Sequence, residues 1–395
     1  MSAGQPASAF HDPAQPGLFP TQEQRLVLRA ALGDGAEAVG AYKEWLASLD
    51  ITAEFDRGVF RLIPLLYDNL RRLGHQDELT GRLKGAYRMA WARNHRLFEE
   101  TRPILETLLD AGLKVMAVKG APIALQYYGN PALRPMADVD LVVPSDQAET
   151  AVRLVQGLGF VPWKPFDLEI KRYRHALALY APGPREFDLH WHMLFDFCDE
   201  RTDELFWRTA QPFEFLGRRI WAPDATRMLL HTIIHGLRWN NEPPVRWIPD
   251  AVMILRSAGG SVDWPAIVEF AETGAVTQRL HMGLSYIAGN FGAGVPASVL
   301  DRLARNRPRF AEVVERRTIL RPISYESAMG PLLEALAEFP GLRSAGSPLA
   351  ALNDFSHFLR FHWGLGGRRE IPGRIASGML RRARRGAAAL GNGHP

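Results

Sequence analysis

Apolar residues recur at three- and four-residue spacing over 22–33, 37–48 and 79–109, so the chain from Thr21 to about Leu109 predicts a set of helices. Thr21 stands at a helix start with Gln24 three residues on, the two partners of a capping box. After Gly112 the texture changes. The short apolar run 114–118 predicts a strand, and Lys119-Gly120 a turn. Ala121-Pro122 then opens a helix through about Tyr128, since proline costs nothing in a first turn whose N–H groups lack partners anyway. Asp138 to Val143 predicts a second strand and 146–158 a helix closing near Gly159. Residues 175–181 and 185–192 predict a strand pair joined by Pro182-Gly183-Pro184, and 213–221 a hairpin through Gly217. From Asp224, which reads as an N-cap, the helical period returns over 225–238, 248–257, 264–273 and 276–290. No internal repeat is visible. The predicted fold class is therefore α+β, a small α/β core at 111–222 flanked by N- and C-terminal helical regions at 21–110 and 223–355. Residues 1–20, rich in Ala, Pro, Gly and Gln, read as a disordered lead-in, and 356–395 as a basic tail.

Composition changes this picture in two places. The 395 residues are 47% hydrophobic, enough for a packed core, and the single Cys198 excludes an intrachain disulfide or a cysteine-rich zinc site. The first twenty residues hold no Lys or Arg, so the basic start of a signal peptide is missing. No apolar run is long enough to cross a bilayer. A cytoplasmic protein without a transmembrane segment is the expectation. The net charge of +4 is unevenly placed. Residues 364–386 carry seven Arg against one Glu, which leaves the rest of the chain at −2. Any polyanion contact must then come from the tail. There Ile375, Met379, Leu380 and Ala383 share one helical face among arginines, a pattern suited to weak contact with anionic lipid or RNA, or to a solvated end.

The candidate chemistry is acidic. On a strand, Asp138 and Asp140 point to one face while Val139, Leu141 and Val143 point to the other, purely apolar face. Two adjacent carboxylates call for a compensating cation, and Mg²⁺ is held by one or two carboxylates together with substrate phosphates. A solvated acidic strand end has the same pattern. Lys119-Gly120, at a strand–helix junction, suits phosphate, through close backbone approach at Gly120 and the Lys119 charge; an ordinary glycine turn also fits. Arg134 reads either as a triphosphate contact or as a structural partner of one of the aspartates. In Arg185-Glu-Phe-Asp188-Leu-His190-Trp-His192, Asp188 offers a third carboxylate, as metal ligand or base, unless this is an amphipathic edge strand. His231 and His235 share a helix face, which suits packing better than metal binding because no Glu follows the first; with Asp188, His190 and His192 they would otherwise form a transition-metal site.

The run Lys119-Gly120 … Arg134-x-Met136-x-Asp138-Val-Asp140-Leu-Val-Val, followed by Asp188-Leu-His190-Trp191, resembles the uncharacterised bacterial nucleotidyltransferase family of the DNA polymerase β-like superfamily. Leu230-His231-Thr-Ile-Ile-His235-Gly236, Arg246-Trp247-Ile-Pro-Asp250 and Val262-Asp-Trp264 extend the resemblance over roughly 90–290. The resemblance implies a short mixed sheet with flanking helices, and Mg²⁺ (or Mn²⁺) held by Asp138, Asp140 and Asp188. It places Lys119 and Gly120 at the triphosphate of a nucleoside triphosphate, with an acceptor hydroxyl attacking the α-phosphorus and pyrophosphate leaving. The turn departs from the superfamily's usual Gly-Ser or Gly-Gly. Three readings follow. The chain is a nucleotidyltransferase acting on an unknown small-molecule, peptide or protein acceptor, a catalytically inert nucleotide-binding or scaffold module, or an RNA-directed, toxin-like nucleotidyltransferase. The slightly acidic body speaks against the last.

Overall fold

The structure is a computed structural model that describes residues 19–49, 56–182, 185–237, 245–319, 330–343 and 348–377. Most of the expected lead-in and the last part of the basic tail, Met379, Leu380 and Ala383 included, lie outside these residues. In chain order the main elements are α1 (Gln22–Leu32), α2 (Gly35–Ser48), α3 (Arg57–Arg72), α4 (Thr80–Asp110), β1 (Met116–Val118), α5 (Gly120–Pro122), β2 (Asp140–Val142), α6 (Ala148–Gly157), β3 (Val161–Pro162), α7 (Leu168–Tyr173), β4 (Ala176–Ala181), β5 (Arg185–His190), α8 (Glu200–Arg208), β6 (Gln211–Phe215), β7 (Arg218–Ala222), α9 (Ala225–Gly236), α10 (Trp247–Ala258), α11 (Trp264–Thr273), α12 (Thr277–Phe291), α13 (Ala297–Arg305), α14 (Phe310–Ile319), α15 (Gly330–Glu338) and α16 (Pro348–His362). The class is α+β, mostly helical, with a mixed sheet of seven strands in the order β3-β4-β5-β2-β1-β7-β6. β2 and β5 run parallel, with Leu141 opposite Leu189 and Val142 opposite His190. β3–β4, β4–β5 and β6–β7 are antiparallel. No helix among the described residues is long and apolar enough to cross a membrane.

By the density of its internal contacts the chain divides into two compact units, each drawn from three stretches. The first takes the described residues of Met1–Pro103, Ala117–Asp140 and Gln211–Arg307; the second takes those of Ile104–Met116, Leu141–Ala210 and Pro308–Pro395. In the first unit the capping box forms as the sequence predicts: Gln24 N–H donates to Thr21 Oγ1 at 3.2 Å, and Thr21 N–H to Gln24 Oε1 at 3.1 Å. α1 packs on α2 and α3, and α9 packs on α10 and α12. Two glycines allow the second set of contacts. A Cβ at Gly236 would stand 2.1 Å from Trp247 Cβ, and one at Gly283 would stand 2.5 Å from Ile233 Cγ2. The β6–β7 hairpin turns through Leu216 and Gly217, both with positive φ, as the tight two-residue turn of a twisted hairpin demands. Asp224 caps α9 by accepting from Arg227 N–H at 2.7 Å.

The second unit holds β2 through β5 with α6, α7 and α8. The last two were not legible as helices. A satellite core of Tyr173, Ala335, Phe339, Phe358 and Leu359 gathers α7, α15 and α16. Two further expectations are corrected. The helix opened by Ala121-Pro122 has only three α-helical residues and then widens into a π-helix over Ile123–Tyr127. The strand expected from Asp138 enters the ladder only at Asp140.

Candidate functional site

One open cavity of the first unit gathers most of the candidate chemistry. It measures about 440 Å³ and is lined by Arg61, Lys119, Gly120, Ile123, Arg134, Asp138, Asp140, His231, Thr232, His235, Gly236, Arg246, Trp247 and Asp250. The elements set these positions. β1 delivers Lys119 at its end, in a left-handed conformation (φ 55°) that is strained for any residue with a Cβ. The turn continues through Gly120, where a Cβ would meet Met136 Sδ at 2.8 Å and Arg134 Nη1 at 3.2 Å, so a larger residue would displace the Met136 side chain. Asn94, buried on α4, secures the segment before the acidic pair. Its Nδ2 donates to the carbonyls of Pro131 and Arg134 at 2.6 and 2.9 Å, and its Oδ1 accepts from Met136 N–H at 3.1 Å.

The charges of this cavity form close pairs and crowded like-charged sets. Lys119 Nζ lies 2.7 Å from Asp140 Oδ1. Arg134 meets Asp250 as a fork, Nε at 2.9 Å from Oδ1 and Nη2 at 2.8 Å from Oδ2, and Tyr128 donates its hydroxyl to the same carboxylate at 2.9 Å. Against these closed contacts stand two crowded sets of like charge. Burial and the Asp140 carboxylate push the Asp138 carboxyl above its ordinary value, despite Lys119, Arg246 and Arg134. Burial, together with the Arg134 and Arg61 guanidiniums, pushes Arg246 down to about 10, although its Nη1 donates to Pro135 O at 2.9 Å. A cation beside the carboxylates and an anion beside the arginines would each relieve a repulsion.

The donor set fits a hard cation. Two carboxylates on one cavity are what Mg²⁺ takes when substrate phosphates fill much of its shell. Among the described residues no three His, Cys, Asp or Glu side chains group closely enough to hold a metal alone, so the transition-metal arrangement of Asp188, His190, His192, His231 and His235 is not formed.

Of the residues singled out from the sequence, Lys119, Gly120, Arg134, Asp138 and Asp140 come together here. Asp188 does not line this cavity; it lies in the second unit on β5, half-buried, opposite Ala178 of β4. Arg134, read as a partner for one of the strand aspartates or for phosphate, pairs instead with Asp250, 116 positions away. His231 is buried, His235 is exposed, and their rings stack with centroids 5.7 Å apart. Arg61 and Thr232 were missed, and Arg246 and Asp250 entered the sequence reading only as landmarks. Arg61 had no local signal to offer, being one arginine among several on the amphipathic helix α3.

The profile of the family described as uncharacterised nucleotidyltransferase matches residues 59–292. No curated protein matched the chain. Among solved structures, an antigenic nucleotidyltransferase-like protein from Paracoccidioides brasiliensis aligns at 14% identity and a TM-score of 0.34, covering 55% of this chain and 95% of its own.

Proposed function

Since this chain belongs to the uncharacterised nucleotidyltransferase family, we propose that it is a Mg²⁺-dependent (or Mn²⁺-dependent) nucleotidyltransferase that moves a nucleoside monophosphate from a nucleoside triphosphate to an acceptor hydroxyl. The observation that carries the reading is the double polarity of the first unit's cavity, where two carboxylates that raise one another's proton affinity stand beside arginines that repel one another. Magnesium triphosphate brings both missing charges.

In this reading Asp138 and Asp140 would hold the metal, which would supply charge neutralisation at the phosphoryl oxygens. Arg246 and Arg61 receive the β- and γ-phosphates, and Gly120 lets the ligand approach the backbone closely. Arg134, held by the Asp250 fork, keeps its place when ligand arrives, which is the preorganisation that phosphoryl transfer rewards. Lys119, whose ammonium lies 2.7 Å from Asp140 Oδ1, would turn to a phosphate when the triphosphate binds. The acceptor oxygen bonds to the α-phosphorus, the bond from that phosphorus to the bridging oxygen breaks, and pyrophosphate leaves. The hydroxyl proton passes to solvent or to a carboxylate that holds no metal.

A second reading has one observation in its favour. Lys119 already neutralises Asp140 at 2.7 Å, as an inert nucleotide-binding relative would keep it. Calorimetric titration of ATP, GTP, CTP and UTP separates the two. The enzyme reading expects triphosphate binding that needs Mg²⁺, falls at least tenfold in D138A/D140A, the scale of one lost charged contact, and is followed by pyrophosphate release once an acceptor is supplied. Binding that is indifferent to EDTA and to both substitutions would sink it.

A further inference from the structure

The charged part of the cavity leaves one wall without an assignment. It is formed by His231, Thr232, His235 and Gly236 at the end of α9 and by Trp247 at the start of α10. Two polar atoms of this wall, Thr232 Oγ1 and Trp247 Nε1, are buried and have no hydrogen-bond partner among the described residues. Buried polar groups are nearly always paired, because burial removes water and nothing replaces it. Both residues line the one cavity, and a ligand that draws these atoms out from their cover would complete them. The placement of Trp247 is built into the fold, since the missing side chain at Gly236 is what lets the indole pack against α9. The stacked rings of His231 and His235 add a flat π surface to the same wall.

The chemistry of this wall differs from that of a phosphate site. An indole N–H only donates, a threonine hydroxyl both donates and accepts, and the wall carries no arginine or lysine. It suits a flat, uncharged heterocycle with ring nitrogens or carbonyls at its edge. The volume of about 440 Å³ lies in the range of small-ligand sites, so one molecule can reach both the charged residues and this wall. Building on the triphosphate reading above, we propose that the wall formed by Thr232, Trp247 and the histidine pair is the nucleobase subsite, Trp247 Nε1 donating to an acceptor on the base edge and Thr232 Oγ1 completing a second hydrogen bond.

The test titrates the four ribonucleoside triphosphates and inorganic tripolyphosphate, each with Mg²⁺, into the full chain, T232V and W247F. T232V keeps shape and removes one polar atom, and W247F removes the indole N–H together with part of the ring. At least one nucleotide should bind the full chain more tightly than tripolyphosphate. Each variant should weaken that nucleotide roughly three- to tenfold, the worth of one hydrogen bond. Tripolyphosphate affinity should stay unchanged in both variants, and the melting temperature of T232V should stay level or rise, because an unpaired buried group has been removed. Unchanged nucleotide affinity in both variants overturns the subsite, as does an equal loss for tripolyphosphate. Tripolyphosphate binding with no preference for any nucleotide overturns the subsite alone. Failure of both probes, with Mn²⁺ as with Mg²⁺, overturns the triphosphate reading and the subsite with it.

Discussion

In the second unit, Asp203 is buried with each oxygen engaged: His192 Nδ1 lies 2.6 Å from Oδ2, and Met193 N–H donates to Oδ1 at 2.9 Å. In the first unit, Asp138 and Asp140 share a cavity with Lys119 and three arginines, and like charges lie close enough to shift one another. Both regions bury carboxylates, and burial raises the carboxyl of Asp138 and of Asp203 alike. The difference lies in what opposes burial. Around Asp203 it is a short, local set of hydrogen bonds, so the group holds the chain's turn after β5 and asks for nothing more. Around Asp138 the neighbouring Asp140 carboxylate is the largest influence after burial, whereas the Asp199 carboxylate is the weakest of those acting on Asp203. Charge that folding leaves unrelieved on an open cavity is the signature of a site awaiting a ligand. Charge that folding pairs off is structure.

The sharpest way to break that distinction is to attack the closed pair inside the cavity itself. Arg134 and Asp250 form a buried fork with Tyr128 as third partner. D250A leaves a buried guanidinium without its carboxylate and should lower stability by about 3–5 kcal/mol. R134A/D250A should cost less than the sum of the two single variants, because it removes both charges. Denaturant melts measure this, and additivity of the singles would show that the pair is not the strut it is taken for. The corresponding change in the second unit is smaller. D203N keeps shape but exchanges one acceptor for a donor facing His192 Nδ1 or Met193 N–H, and should cost about 1–3 kcal/mol. A D203N protein as stable as the wild type would erase the contrast between the two regions.

Local devices were legible in the sequence where they are short in range. The Thr21–Gln24 capping box, the Asp224 cap and the hairpin at Gly217 depend on residues within a few positions of one another, and each forms. The gathering of Lys119, Gly120, Arg134, Asp138 and Asp140 was legible as a pattern, because strand alternation and a glycine turn bear directly on the chemistry. What eluded the sequence was the identity of distant partners. Nothing near Arg134 names Asp250, and nothing near Arg61 marks it out on α3. The π-helical turn at Ile123–Tyr127 escaped because eight residues are too few to separate its period from that of an α-helix. β2 begins two residues later than alternation implies, since a ladder starts where a partner strand does, not where the side chains begin to alternate.

The smallest expected effect has the opposite sign to all of these. The Asp138 carboxyl is raised in the folded state by burial and by Asp140. Below the ordinary carboxylate range it is protonated in both folded and unfolded chains and contributes nothing. As pH rises, the unfolded chain loses this proton first, so ionisation favours unfolding, and the cost is fully present once pH exceeds the folded-state value. D138N removes that cost. It should therefore melt at a higher temperature than the wild type at pH 7–8, with the gain shrinking to nothing as pH falls through the carboxylate range. The same substitution at Asp203 also removes a raised carboxyl, yet it should destabilise, because there the lost hydrogen bonds outweigh the relief. Thermal melts of both variants from pH 4 to 8 set the two aspartates side by side. If D138N were less stable than the wild type at neutral pH, its carboxylate would be held by partners as Asp203 is, and the cavity would lose its claim to be a site that a magnesium triphosphate completes.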